Sequence, residues 1–133
     1  MKITKNFDLK DLTVTNTGLS NVMPLDCLVN AMHLFIKVVQ PVRDYMCMPI
    51  YVISCYRSSA VNKAVGGSST SDHRFALAVD LKCADNRALF SYILANLEFD
   101  QLIWEEGTKE NPTWVHVSLR WNGRNRRMVI YNY

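Results

Sequence analysis

The sequence lacks the cysteine pairs that thiolate metal sites use. None of its four cysteines belongs to a C-x-x-C motif, and each lies among apolar neighbours: Cys27, Cys47, Cys55 and Cys83. This spacing argues against a thiolate zinc site. The apolar surroundings predict free, buried thiols that pack as small hydrophobic side chains.

The sequence also shows no signal-peptide pattern, no internal repeats and no low-complexity tracts. Its first residues, MKITKNFDLKDL, contain no apolar core of signal-peptide length. No stretch approaches the roughly 18 apolar residues that a membrane span needs. We therefore expect a protein that is synthesised in the cytoplasm without a signal peptide and that has no membrane span.

Neither sign of charge dominates the composition. The net charge is +3, with 20% charged and 49% hydrophobic residues, which is the balance of a globular domain rather than of a disordered chain. A length of 133 residues predicts one domain. The mild positive charge permits an anionic partner without requiring one.

Hydrophobic periodicity predicts a single α+β domain over residues 1–133. Residues 1–24 form an irregular N-terminal arm in this prediction, and an amphipathic helix follows over 25–46, which Pro41 should kink or divide. A second helix is predicted over 86–97, and strands over 49–58, 76–83, 100–106, 114–120 and 126–132. Asn122-Gly123 is a strong hairpin signal, so the last strand is expected to return beside the one before it. An N-terminal helix plus a mainly antiparallel sheet with a second helix is an α+β fold.

Three polar residues stand out against these apolar strands. Alternation puts Asp80 and His116 on the strand faces opposite the apolar side chains, and His73 lies in the loop seven residues before Asp80. Two imidazoles and a carboxylate suit a borderline-hard cation such as Zn²⁺, and three protein ligands leave one coordination position open, as in catalytic zinc sites. The alternative is a surface histidine, a solvated aspartate and a hydrogen-bonded core histidine, and spacing alone leaves both readings open.

Several motifs together resemble the M15 metallopeptidase family, which includes the zinc D-alanyl-D-alanine carboxypeptidases and related phage endolysins. Residues 71–80, SDHRFALAVD, are similar to the family segment S-x-H-x-x-G-x-A-x-D, and residues 114–118, WVHVS, to its later W-x-H-x-S strand. SCYRS at 54–58, VNKAVGGSSTS at 61–71 and FDQLIWE at 99–105 also match, in the family's order. The resemblance covers nearly the whole chain and is closest to the short single-domain branch.

The resemblance implies a Hedgehog/D-Ala-D-Ala-peptidase-like fold and a zinc site formed by His73, Asp80 and His116. Arg57 matches an arginine that faces the substrate, where its planar, permanently charged fork suits a carboxylate or a developing oxyanion. A structural salt bridge is the alternative role for Arg57. Ser71 and Ser118 are candidates for orienting the ligands, and otherwise are plain surface hydroxyls.

The candidate for the catalytic base comes from comparing the acidic positions of this chain with those of the family. Some family members place an acid three residues before the last histidine, but that position is Thr113 here. Glu105 lies at the end of a predicted strand that can pair with residues 114–120, so we expect it to act as the base, with Glu106 and Glu110 as second choices. Cys55 and Ala76 stand where the family usually has glycine, and a positive φ angle at either position would strain it.

The expected function is zinc-dependent hydrolysis of peptidoglycan stem or cross-bridge peptides at the bacterial cell wall, by a D-Ala-type carboxypeptidase or a phage endolysin. The alternative is a catalytically inactive zinc-binding module for cell-wall binding or virion structure. A third reading starts from the four arginines in RWNGRNRR, residues 120–127. They could bind cell-wall polymers or nucleic acid, although nucleic acid is not the expected partner, or they could solubilise an edge hairpin.

Overall fold

A computed structural model describes all 133 residues and has the predicted α+β architecture. Two short strands, β1 (Lys2–Thr4) and β2 (Phe7–Asp8), and a 3-10 helix (Leu9–Thr13) form the N-terminal arm. The α-helices are α1 (Leu25–Leu34), α2 (Gln40–Met46), α3 (Ser59–Ala64) and α4 (Asn86–Asn96). A five-stranded sheet contains β3 (Tyr51–Ser54), β4 (Ala78–Lys82), β5 (Gln101–Glu105), β6 (Trp114–Ser118) and β7 (Met128–Asn132), in the order β3-β4-β6-β5-β7.

The long N-terminal helix accommodates Pro41 through a wider turn. A π-helical segment, Phe35–Val39, joins α1 to α2, and the Gln40 N–H donates to the Phe35 carbonyl oxygen. Proline has no N–H and its ring clashes with the preceding turn of an α-helix. A π-turn absorbs such an irregularity without ending the helix. The prediction that Pro41 interrupts the helix is therefore confirmed, with a π-turn as the interruption.

The same helix corrects the expectation that no segment approaches a membrane span. Leu25–Met46, 22 residues with a mean hydropathy of 1.2, is long and apolar enough by length and composition. A core helix passes the same test, and one face of this helix packs into the core through fully buried Leu34, Phe35 and Val42. The apolar character of the segment is thus explained at least in part by packing inside the domain.

One face of the sheet packs against these helices and the other carries polar residues. Val79 and Leu81 of β4, and Val115 and Val117 of β6, are fully buried in the hydrophobic core. Their neighbours along each strand point to the opposite face, as the alternation of a strand requires. The polar face is therefore backed by a close-packed core that fixes the positions of its side chains.

The last strand contradicts the predicted hairpin. β7 pairs with β5 in parallel, Gln101 opposite Met128 and Glu105 opposite Asn132, and has no pairing with β6. β6 lies between β4 and β5, so both of its edges are already hydrogen-bonded. The chain turns at Gly123, whose φ is +77°, and continues past β6 to the free edge of β5.

The four cysteines are free, as predicted, but not all of them are buried. Cys27 and Cys55 are buried, Cys83 is partly buried and Cys47 is exposed. Cys47 caps the C-terminus of α2 in the left-handed conformation, φ 52°, where the chain leaves the helix and turns away. The prediction of a buried thiol is therefore wrong for Cys47.

The two positions that replace family glycines behave differently. Ala76 has φ 57°, in the left-handed region, and is fully buried. Cys55 is not among the residues with positive φ. Left-handed backbone costs a residue with a Cβ atom roughly 1–2 kcal/mol, so strain is present at Ala76, in the segment that follows His73.

Asp100, just before β5, anchors the chain where it enters β7. Its carboxylate is fully buried and accepts hydrogen bonds from the Arg126 backbone N–H at 3.0 Å and from the Arg126 Nε and NH2 groups at 3.1 and 2.8 Å. Arg120 Nε lies 3.4 Å from the same carboxylate. Hydrogen bonds from Arg126 hold the pKa of Asp100 below its ordinary range, against the opposing effect of burial.

Asp100→Asn is expected to lower the free energy of unfolding by about 2 kcal/mol at neutral pH, because charge-assisted hydrogen bonds are lost. The native pKa lies below the unfolded value of about 3.9, so this stabilisation is present above about pH 4 and is lost as the pH falls through the native pKa. Urea unfolding across this pH range measures it. Asp44→Asn, at an exposed position on α2, is the control, and an equal pH dependence of both variants would contradict the prediction.

Candidate metal centre

The register of the sheet places Asp80 and His116 side by side. β4 and β6 are antiparallel, and Asp80 is the direct partner of His116, so the two side chains project from the same face. His116 Nδ1 lies 3.0 Å from Asp80 Oδ1. The aspartate is 6% exposed.

His73 is positioned by a short 3-10 helix, Asp72–Phe75, that precedes β4. Ser71 caps this helix, with its side chain accepting a hydrogen bond from the His73 N–H at 3.3 Å. The ring Nδ1 lies 2.7 Å from the Cys55 carbonyl oxygen. Because a carbonyl can only accept, Nδ1 carries the proton and Nε2 keeps its lone pair.

His73 Nε2 is the atom that best indicates a missing partner. It is buried without a hydrogen bond, and it lies 3.3 Å from Asp80 Oδ2. One ligand atom from each of His73, Asp80 and His116 lies within 4.8 Å of the others. Ligand atoms about 2 Å from a tetrahedral Zn²⁺ lie about 3.3 Å apart, which is the separation of His73 Nε2 and Asp80 Oδ2. Two imidazoles with one carboxylate are a donor set that zinc accepts. The residues present therefore fit a zinc ion.

The charge of Asp80 is maintained despite its burial. Burial by itself raises the pKa of this carboxyl, but its interactions with the two neighbouring imidazoles, His116 and His73, outweigh burial and hold the pKa well below its ordinary value. The carboxylate form is the one that binds a cation. The centre is thus prepared with one negative charge facing two imidazoles.

Arg57 contacts the same carboxylate. Its NH2 group lies 3.2 Å from Asp80 Oδ2 and its Nε donates to Ser54 Oγ at 3.0 Å. The guanidinium also lines the cavity above the centre. Arg57 therefore makes the salt bridge that was the alternative reading and also lies where it can contact a substrate, so its substrate-facing role stays a prediction.

The three candidate ligands lie in a cavity of about 570 Å³ that also contains Glu105. Glu105 pairs with Trp114, and the neighbouring pair on the same face is Ile103 with His116. Its Oε1 accepts a hydrogen bond from Asn132 at 2.9 Å. Glu106 and Glu110, the second choices for a base, do not line this cavity.

Of the two candidate serines, one lines the cavity and the other is buried between strands. Ser71 lines the cavity and supports the His73 backbone. Ser118 is buried, and its Oγ accepts a hydrogen bond from the Gln101 N–H at 3.0 Å, which ties β6 to β5. No hydrogen bond joins either hydroxyl to a ring of the candidate ligands. The group that orients the His73 ring is instead the Cys55 carbonyl, which the sequence reasoning missed because a backbone oxygen has no signature in a side-chain motif.

A comparison with models of protein families identifies the family of this chain. The family model described as Peptidase M15 matches residues 5–118, a range that includes the candidate ligands, Arg57 and Glu105. The chain belongs to the peptidase M15 family. The M15 family is zinc-dependent in general, which agrees with the donor set of this centre. Among curated proteins, none matches the chain.

Proposed function

We propose that this M15 protein is a zinc-dependent peptidase that hydrolyses peptidoglycan stem or cross-bridge peptides, as a D-Ala-type carboxypeptidase or an endolysin. The observation that carries the proposal is the convergence of His73 Nε2, Asp80 and His116 Nδ1 at one buried point. A cavity that also holds an arginine and a glutamate opens over that point. The cell wall is the proposed place of action.

Each side chain has a role that its position supports. A zinc ion, when bound, lowers the pKa of water and polarises a carbonyl group. Glu105 accepts the proton of the attacking water and returns it to the leaving amine, which a carboxylate within reach of the reacting atoms can do. Arg57 donates from its free N–H groups to the peptide carbonyl oxygen as negative charge develops there. The Cys55 carbonyl holds the His73 ring in the tautomer that leaves Nε2 free.

Digestion of purified peptidoglycan, with and without a chelator, tests the proposal. We expect new peptide ends to appear with the native protein, to fall at least 100-fold after removal of zinc, and to return when zinc rather than magnesium is added back, because the donor set favours zinc. Mass spectrometry of the soluble products and metal analysis of the same samples give both readouts. Zinc bound in a 1:1 ratio without any new peptide ends would support an inactive zinc-binding module. Digestion that a chelator does not affect would contradict the proposal.

A further inference from the structure

Two arginines line the cavity at the end opposite Glu105. Along β6, Trp114 pairs with Glu105 and His116 pairs with Ile103, so Glu105 lies on one side of the metal centre. Arg120 lies on the other side, four residues after His116, and Arg126 joins it in the cavity wall. At about 3.3 Å per strand residue, Arg120 lies at most roughly 13 Å along the chain from His116. Arg120 therefore lies within about four extended residues of the metal centre.

Buried and partly buried acids hold both guanidinium groups in place. Arg126 makes two side-chain hydrogen bonds to the fully buried Asp100, and Arg120 Nε lies 3.4 Å from that carboxylate. Arg120 NH2 also lies 3.6 Å from Asp72 Oδ1. The side chains of Arg120 and Arg126 remain 36% and 51% exposed, and each guanidinium has five N–H donors. Donors are therefore left over in a fixed position that faces the cavity.

The charge of the cavity as a whole favours an anionic ligand once a divalent cation is bound. Three arginines and three acids line the cavity: Arg57, Arg120 and Arg126, and Asp72, Asp80 and Glu105. Their charges cancel, so a bound divalent cation makes the lining net positive. Glu105 lies at one end, whereas at the other end the charges of Arg120 and Arg126 are balanced by Asp72 and Asp100, so the spare N–H donors are what this end offers to a ligand. Paired arginines recognise carboxylates by charge-assisted hydrogen bonds with a defined geometry.

We propose that Arg120 and Arg126 form a subsite for a carboxylate of the peptide substrate, within about four residues of the bond that is cut. This inference rests on the proposed peptidase function and names the acidic group that the substrate carries. The carboxylate belongs either to an acidic residue within the peptide or to its C-terminus. Both sources have the same chemistry, and the arms of the experiment separate them.

The test uses two pairs of synthetic stem peptides with the zinc-loaded protein. In one pair the internal carboxylate is free or amidated, and in the other the C-terminal carboxylate is free or amidated. We expect the wild type to have a KM at least tenfold lower for the free acid of one pair. Arg120→Gln should raise KM for that acid about tenfold, leave KM for its amide unchanged and change kcat little, while Arg120→Lys restores part of the loss.

Arg124→Gln is the matched control, because Arg124 lies in the same turn, is exposed and does not line the cavity. It should leave both KM values unchanged. Equal effects of Arg120→Gln on free and amidated peptides, or a wild type that does not distinguish them, would overturn the subsite. Calorimetry with zinc-loaded Glu105→Gln measures the affinity for the free and the amidated peptides in the absence of turnover. If the free acid binds selectively but the wild type hydrolyses nothing, the peptidase proposal is refuted and the subsite proposal stands. If the wild type hydrolyses the peptides without selecting the free acid, the subsite proposal is refuted and the peptidase proposal stands.

Discussion

Asp80→Asn is expected to remove zinc from the protein and to reduce peptide hydrolysis by on the order of 10³-fold or more. The substitution keeps the size of the side chain but removes the only negative charge among the three candidate ligands, and a divalent cation supplies several kcal/mol of stabilisation to such a reaction. It also leaves the partly buried Arg57 without its carboxylate partner, which costs about 3 kcal/mol or more of folding free energy. Metal analysis, normalised to the folded fraction by circular dichroism, measures the first effect. Chemical denaturation of the metal-free protein measures the second.

The control for Asp80→Asn removes an equal charge elsewhere. Asp85 caps the start of α4 by accepting a hydrogen bond from the Ala88 N–H, and asparagine caps as well as aspartate does. Asp85→Asn should therefore bind zinc and hydrolyse peptides as the wild type does. Zinc should raise the melting temperature of the wild type and of Asp85→Asn, because it binds the native state, but not that of Asp80→Asn. Stoichiometric zinc in folded Asp80→Asn would refute the proposed ligand set.

The residues that the sequence pointed to are those whose positions follow from strand alternation. Asp80 and His116 each interrupt an apolar strand, and an apolar strand with one buried face must direct its polar residues to the other face. Adjacent pairing of β4 and β6 then brings the two side chains together. His73 joins them because only Ala76 and Leu77 separate its 3-10 helix from β4, which keeps its ring close to the start of the strand. The fold class and most element positions follow from the same periodicity.

The features that the sequence did not reveal depend on tertiary contacts. Asn122-Gly123 favours a tight turn, but which strand receives β7 depends on which sheet edge is free, and β6 has none. The Cys55 carbonyl orients His73 through the backbone, so any residue type at position 55 could supply it. Glycine adopts a left-handed φ more readily than alanine does, so only the three-dimensional structure shows that Ala76 has this conformation.

Glu105→Gln is expected to lower kcat for peptide hydrolysis by about 10² to 10⁴-fold while zinc content stays at the wild-type level. The range is the usual contribution of a general acid–base group. Glutamine keeps the shape of the side chain, and its amide oxygen can still accept the hydrogen bond from Asn132, so stability should change little. Steady-state kinetics on a stem peptide, with metal analysis of the same preparation, measures both quantities.

Glu106→Gln is the matched control for the base, because it changes the adjacent residue in the same way. Glu106 follows the end of β5 with φ 53°, is exposed and lies outside the cavity wall, so its substitution should leave kcat within about twofold of the wild type, as surface changes away from a site usually do. Thr113, at the position where some relatives carry an acid, donates its backbone N–H to the Glu105 carbonyl oxygen at 2.9 Å. The segment before β6 therefore supports the strand end that carries Glu105, and we propose that Glu105 supplies the acid that position 113 lacks. A larger loss of kcat in Glu106→Gln than in Glu105→Gln would transfer the role of base to Glu106. Full activity in both variants would mean that neither carboxylate moves the proton.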